Sequence, residues 1–261
     1  MTSKLHLIYF SPTATTRKIV TAIAEGFGAP DVERHDLTRQ KQGPTLKLTE
    51  GVAIIGVPVY AGRVPLVCLE RLAGISADGC PAILVALYGN REFEDALVEL
   101  RDVVSAAGFS ILAAGAFIGE HSYSTPELPF SPGRPDADDL TKARAFGRDC
   151  AAKLAAGWDG LTPEIAGNVP YRDRVPLGGI APETVMETCT LCGTCARVCP
   201  TFVITLSDAE VLTEAAGCVM CCACVKNCPT GARVMRHPVI GERRAMLQKI
   251  CTTRKEPRVF I

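Results

Sequence analysis

The sequence predicts an α/β chain: a doubly wound five-stranded parallel sheet, followed by a small α+β domain organised around cysteines. Three observations predict it. Apolar runs of strand length alternate with helical patterns up to residue 157, as a parallel sheet covered on both faces requires. A hydroxyl-rich turn, Ser11-Pro12-Thr13-Ala14-Thr15-Thr16, joins the first such run to the first helical pattern. In the last third, the spacing Cys-x2-Cys-x2-Cys-x3-Cys-Pro occurs twice. It runs through Cys189, Cys192, Cys195, Cys199 and Pro200, then through Cys218, Cys221, Cys224, Cys228 and Pro229.

The first strand is 5–10 (LHLIYF), and Ile19, Val20, Ile23, Ala24 and Phe27 then share one helix face. Further strands are expected at 32–37, 52–57, 82–87 and 110–118, with helices at 65–72, 92–107 and 136–156. Ligands on such sheets sit beyond the carboxyl ends of the strands. Three stretches lie there: the Ser/Thr turn, then Pro58-Val59-Tyr60-Ala61-Gly62-Arg63, then Tyr88-Gly89-Asn90-Arg91. The first is an anion site in outline, because N–H groups and the helix dipole at a helix start favour negative charge. An ordinary N-cap needs one hydroxyl, and this turn has four.

The loop 119–135 is proline-rich and lies at the same end, as a lid or a docking surface. Its His121 is either a solvated imidazole or a proton donor to a bound ligand. Residues 158–183 read as a Gly/Pro-rich linker, with Trp158, Ile165, Val169, Tyr171 and Val175 available to pack across the first domain. The second domain covers 184–240, with a hairpin at 202–206 and 211–212 and a partner strand at 230–234. Residues 241–261 form a basic amphipathic helix and an extended end, either a solvated face or a patch for an acidic electron carrier.

Thiolates at the tandem spacing let successive backbone turns wrap an iron–sulfur cube and carry the fourth Cys toward a second one. Two tetrahedral zinc sites are the competing reading, though zinc patterns pair Cys-x2-Cys units across a longer loop. Cys68, Cys80, Cys150, Cys222 and Cys251 have no regular spacing, and Cys222, beside Cys221, is either a substitute ligand or a buried thiol.

The cysteine runs resemble the bacterial two-cluster ferredoxin. That family's crossed ligation implies Cys189, Cys192, Cys195 and Cys228 on one [4Fe–4S] cluster, and Cys218, Cys221, Cys224 and Cys199 on the other. The first 157 residues resemble a flavodoxin, SPTATT being similar to its phosphate loop and the Tyr60 and Tyr88 segments to its flavin-flanking loops. The whole chain is similar to the flavodoxin–ferredoxin fusion proteins of anaerobes. The resemblance implies FMN, with its phosphate on Ser11, Thr13, Ala14, Thr15 and Thr16. It also implies the ring system against Pro58 to Arg63 and Tyr88 to Arg91. Pro12 and Ala14 stand where flavodoxins often have Gly, so a wider loop is expected. Tyr60 and Tyr88 either stack on the flavin or belong to the core. Arg63 and Arg91 are either solvated or set near flavin N1, where a cation raises the potential.

Lys plus Arg and Asp plus Glu each number 28, which excludes a polybasic face for nucleic acid. No apolar run approaches the roughly 18 residues of a membrane span. The N-terminal stretch lacks a signal-peptide pattern, and the cysteine usage predicts a reducing cytoplasm. No GxGxxG follows a strand, so NAD(P)H is not expected to bind directly. The expected function is electron transfer, relaying electrons between two [4Fe–4S] clusters and FMN and coupling one- to two-electron steps. Its partners would be ferredoxin-like donor or acceptor proteins. The alternative is a ferredoxin-dependent flavin oxidoreductase that reduces a small molecule, with His121 or Tyr123 supplying protons. A redox-responsive binding module is a third reading.

Overall fold

A computed structural model describes residues 4–175 and 179–261, so the first three residues and linker positions 176–178 lie outside the described residues. The first domain runs β1 (Lys4–Tyr9), α1 (Thr15–Phe27), β2 (Asp31–Asp36), β3 (Leu46–Leu48), β4 (Val52–Pro58), α2 (Leu66–Leu72) and β5 (Ile75–Ala77). It continues through β6 (Pro81–Tyr88), α3 (Ala96–Ala106), β7 (Ser110–Ile118) and α4 (Ala137–Ala155). The five long strands are parallel in the order β2-β1-β4-β6-β7, the doubly wound order of flavodoxin-like sheets. The order in which strands are added reverses between β1 and β4, which opens a crevice at their carboxyl ends.

Both faces of this sheet are covered, so its central strands are apolar throughout: every residue of β4 is buried. On one face Ile19, Val20 and Ile23 of α1 pack with Ala143, Phe146 and Cys150 of α4. On the other, Cys68 and Leu72 of α2 pack with Ala96, Leu97 and Leu100 of α3. The helices α1 and α4 touch backbone to backbone at Gly147, where a methyl group would run into the Ile23 carbonyl. A capping box between Asp136 and Asp139 starts α4.

The second domain holds β8 (Glu183–Thr184), α5 (Thr194–Val198), β9 (Ile204–Leu206), β10 (Val211–Thr213), α6 (Ala223–Lys226) and β11 (Arg233–Val234). The expected hairpin is β9–β10, but the expected third strand goes elsewhere: β11 pairs with β8. Each short helix lies within one cysteine run and carries its third cysteine, so the domain is a repeat of two similar halves. Then α7 (Pro238–Ile250) leads to β12 (Arg258–Phe260), and β12 returns to pair antiparallel with β7. The main sheet therefore has six strands rather than the expected five, and β3 with β5 forms a small parallel pair. Asn90 fixes the returning chain, donating to the Thr253 carbonyl at 2.8 Å and accepting from the Lys255 N–H at 3.0 Å.

The linker packs, as its apolar content suggests. Ile165 is buried in the α2–α3 side of the core, and Asp95 accepts hydrogen bonds from the backbones of Asn168 and Arg172. The two domains are joined directly by Arg71. Its buried guanidinium donates to the carbonyls of Leu37 and Thr38 in the first domain and Pro200 in the second, at 2.9, 2.8 and 2.6 Å. Lys226 adds a second staple, to Glu120 at 2.5 Å and to the Ser124 carbonyl at 2.8 Å.

Candidate cofactor site at the domain junction

A cavity of about 370 Å³ opens at the carboxyl ends of the strands, and the second domain closes it. Pro12, Thr13, Thr15 and Thr16 form its floor, Pro58 to Ala61 one wall, and Leu87, Tyr88, Gly89 and Arg91 another. Val219 and Met220 reach in from the second cysteine run, and Arg243, Met246 and Leu247 of α7 roof it. Arg172 and Val175 of the linker complete the boundary.

The floor is built as an anion site. Thr15 and Thr16 begin α1, so their N–H groups have no carbonyl four residues back within the helix. Ser11 does not line the cavity; its Oγ accepts the Arg17 N–H at 3.0 Å and holds the turn in shape. Ala14 adopts φ 64°, the left-handed conformation usually left to glycine, so the turn keeps its curvature instead of widening. Thr13 and Thr15 hydroxyls lie 3.3 Å apart at the floor.

The Tyr60 segment is a two-residue hairpin. Tyr60 and Arg63 exchange backbone hydrogen bonds at 2.9 and 3.1 Å, and Ala61 and Gly62 both have positive φ, 51° and 83°. This turn aims Tyr60 at the cavity and Arg63 away from it. The Arg63 guanidinium grips the Glu99 carboxylate through two bonds of 2.9 and 2.8 Å, so its side chain is not a cavity cation. Burial raises the Tyr60 phenol well above its usual range, and the nearby Cys221 and Cys222 add to the effect. Tyr60 thus stands between the cavity and the second cysteine run. Tyr88 is placed differently: its ring is buried in the core, 5.6 Å from Phe93. Asn90 is spent on the tail, and Arg91 lines the cavity while paired with Glu94.

His121 lines the cavity against Gly89, where any side chain would collide with the imidazole. Its Nδ1 accepts the Tyr123 N–H at 3.1 Å, which leaves the proton on Nε2. Burial, reinforced by Arg91, Lys226 and Arg244, pulls its pKa down to about 4. At neutral pH it is an uncharged hydrogen-bonding wall of the cavity.

The cysteines fall into two sets. Burial raises the thiols of Cys218, Cys221 and Cys224, and each also feels Cys199 from the other run. The Cys199 sulfur therefore lies near the sulfurs of the second run. Cys195 is raised by burial and feels Cys189. Cys228 is held below the usual thiol range despite burial, because backbone N–H groups of Arg233, Thr230 and Ala232 surround its sulfur. Both runs carry left-handed residues at matching positions: Leu191 and Met220 at φ 52° and 51°, Gly193 and Cys222 at 71° and 57°. Such alternation turns N–H groups into a concavity suited to a cluster's sulfurs. Among the described residues no three of these sulfurs lie within 4.8 Å of one another, whereas one tetrahedral zinc needs sulfurs about 3.8 Å apart. Two such runs of four thiols form a donor set suited to two cubes. Cys222 occupies a glycine position of the repeat, with its thiol buried and directed at the Met220 carbonyl at 3.7 Å, so it is not a ligand.

Sequence reasoning missed the linker and α7 residues of the cavity, Arg172, Arg243, Met246 and Leu247. Their only local signal was a basic amphipathic pattern, which does not say where the helix folds back.

Residues 182–229 match the family model of the 4Fe-4S dicluster domain. No curated protein matches the chain. Among solved structures, a flavodoxin of Streptococcus pneumoniae TIGR4 is 17% identical, with 57% of this chain and 99% of that one covered at a TM-score of 0.40. A Fusobacterium nucleatum flavodoxin bound to flavin mononucleotide is 18% identical over 60% of this chain and 98% of its own, with a TM-score of 0.38. A flavodoxin from the domain Archaea is 14% identical over 58% and 99%, also at 0.38. By its own strand order and its matched cysteine segment, the chain joins a flavodoxin-like α/β domain to a ferredoxin domain of the 4Fe-4S dicluster type.

Proposed function

We propose that the protein is an electron-transfer flavo-iron–sulfur protein, relaying electrons between two [4Fe–4S] clusters and FMN. One observation carries the reading: Val219 and Met220, which lie between Cys218 and Cys221, also form a wall of the junction cavity. FMN in that cavity would exchange one or two electrons, and each cube one, so the chain would couple single to paired transfers. Thr13, Thr15, Thr16 and the start of α1 would hold the phosphate. The 58–61 and 87–89 segments would flank the ring, with Tyr60 on the side toward the second cysteine run. Cys199, Cys218, Cys221 and Cys224 would hold the cluster nearer the cavity, and Cys189, Cys192, Cys195 and Cys228 the other. The roof from α7 and His121 would keep water from the ring.

The neutral His121 weighs against the alternative, reduction of a small molecule with proton supply from this imidazole. Purification without oxygen followed by cofactor counting tests the proposal, with about eight iron, eight sulfide and one FMN expected per chain. Cys221→Ser should remove one cubane signal, keep the flavin, and stop the flavin from being reduced through the clusters. Zinc in place of iron, or a flavin reduced at the native rate in that variant, would overturn it.

A further inference from the structure

On the edge of the sheet, His6 of β1 and Glu33 and His35 of the neighbouring edge strand β2 converge. The parallel register sets His6 against Glu33 and Ile8 against His35, so all three side chains emerge on one face. His6 Nδ1 lies 3.3 Å from His35 Nε2, and the Glu33 carboxylate oxygens lie 3.6 Å from each of these nitrogens. Ligands about 2.0–2.1 Å from a tetrahedral metal are about 3.3–3.5 Å apart, so the three groups already form one face of such a polyhedron.

We propose that His6 Nδ1, His35 Nε2 and the Glu33 carboxylate bind a divalent cation of the zinc class, independently of the two clusters. The donor set, two imidazoles and a carboxylate, suits zinc, copper or nickel rather than calcium or magnesium, which prefer all-oxygen shells. Glu33 is half exposed, so the fourth position opens to water. His6 is buried and its Nε2 has no hydrogen-bond partner among the described residues. Gly51 packs against that edge of the ring, where a side chain would press on it, so the imidazole is held in place. Lys4 sits 3.1 Å from Glu33 and is the competitor: its ammonium occupies the carboxylate when no metal is present, and its partly exposed chain is free to swing out. A bound ion would tie the exposed edge strand to the buried strand beside it.

The test is a zinc titration by calorimetry on the cluster- and flavin-loaded protein without oxygen, with iron counted before and after. One zinc per chain should bind with the iron count and the cluster spectrum unchanged. His35→Ala and Glu33→Gln should each weaken it on the order of 100-fold or more. Lys4→Ala should bind zinc more tightly than the native chain. The melting temperature should rise with zinc in the native chain and stay fixed in His35→Ala, which separates the site from weak surface binding. Absence of stoichiometric binding would overturn the proposal and leave His6 and His35 as a simple N–H···N pair. Equal affinity in the native chain and in His35→Ala, or zinc taken up only as iron is lost, would overturn it as well.

Discussion

Burial decides the chemistry of His121. Its ordinary pKa is near 6.5, and the folded chain holds it at about 4, chiefly because the charged imidazole would lose its water. The unfolded chain therefore binds a proton at this site as pH falls through 6.5, while the folded chain does not until about 4. Stability is lost over that window and levels off below it. Between pH 6.5 and 5 the loss from this one group is about 2 kcal/mol. Urea unfolding of the native chain and of His121→Gln at both pH values checks it, since the difference between them cancels the other titrations. A variant as acid-sensitive as the native chain would place the charge elsewhere. Sequence alone gave His121 its place on a loop at the ligand end, but not its protonation, which depends on burial and then on Arg91, on Lys226 of the second domain and on Arg244 of α7. Ala14 teaches the same point from the backbone: the Ser/Thr turn was legible, while its left-handed φ was not, because the residue type argues against it.

Among the elements, legibility followed the length of each periodic run. The five parallel strands and the four long helices stand close to where alternation and helical period put them. Some short pieces were not legible: β3 and β5 have three residues each and β8 two, while β11 was expected with another partner. Runs so short carry no period. The sixth strand, β12, was missed for a different reason, since an extended tail does not name its pairing partner. Contact between α1 and α4 is equally hidden in one dimension, yet it yields a sharp expectation. With Gly147 against the Ile23 carbonyl, Gly147→Ala must separate the two helices despite alanine's better helix propensity. Overpacking of this kind costs about 1–3 kcal/mol. The same change at Gly241 on α7, which has open space around it, should be neutral or mildly stabilising. Thermal melts of the two variants give opposite signs if backbone contact is the cause.

Across the whole molecule, the two cysteine sets differ in depth, and that difference orders the relay proposed above. Of the first set Cys192 is exposed, Cys189 and Cys228 are half-buried and Cys195 is buried, whereas Cys199, Cys221 and Cys224 are buried and Cys218 half-buried, with Cys221 near Tyr60. In the proposed relay a docking protein would reach the outer set first, and electrons would pass inward before they reached the flavin site. Arg71 keeps this geometry fixed, because its bond to the Pro200 carbonyl holds the residue next to Cys199 against the first domain. Arg71→Met removes that staple without touching a cluster ligand or the cavity lining. Stopped-flow reduction with a protein donor should then show clusters reduced at the native rate and flavin reduced more than about tenfold slower, a barrier increase of about 1.4 kcal/mol. Cys192→Ser should have the other signature, slowing the first electron's entry from a protein donor. Native flavin reduction in Arg71→Met would mean that the inner set is held by the linker and α7 alone, and that the Arg71 bond only trims the interface.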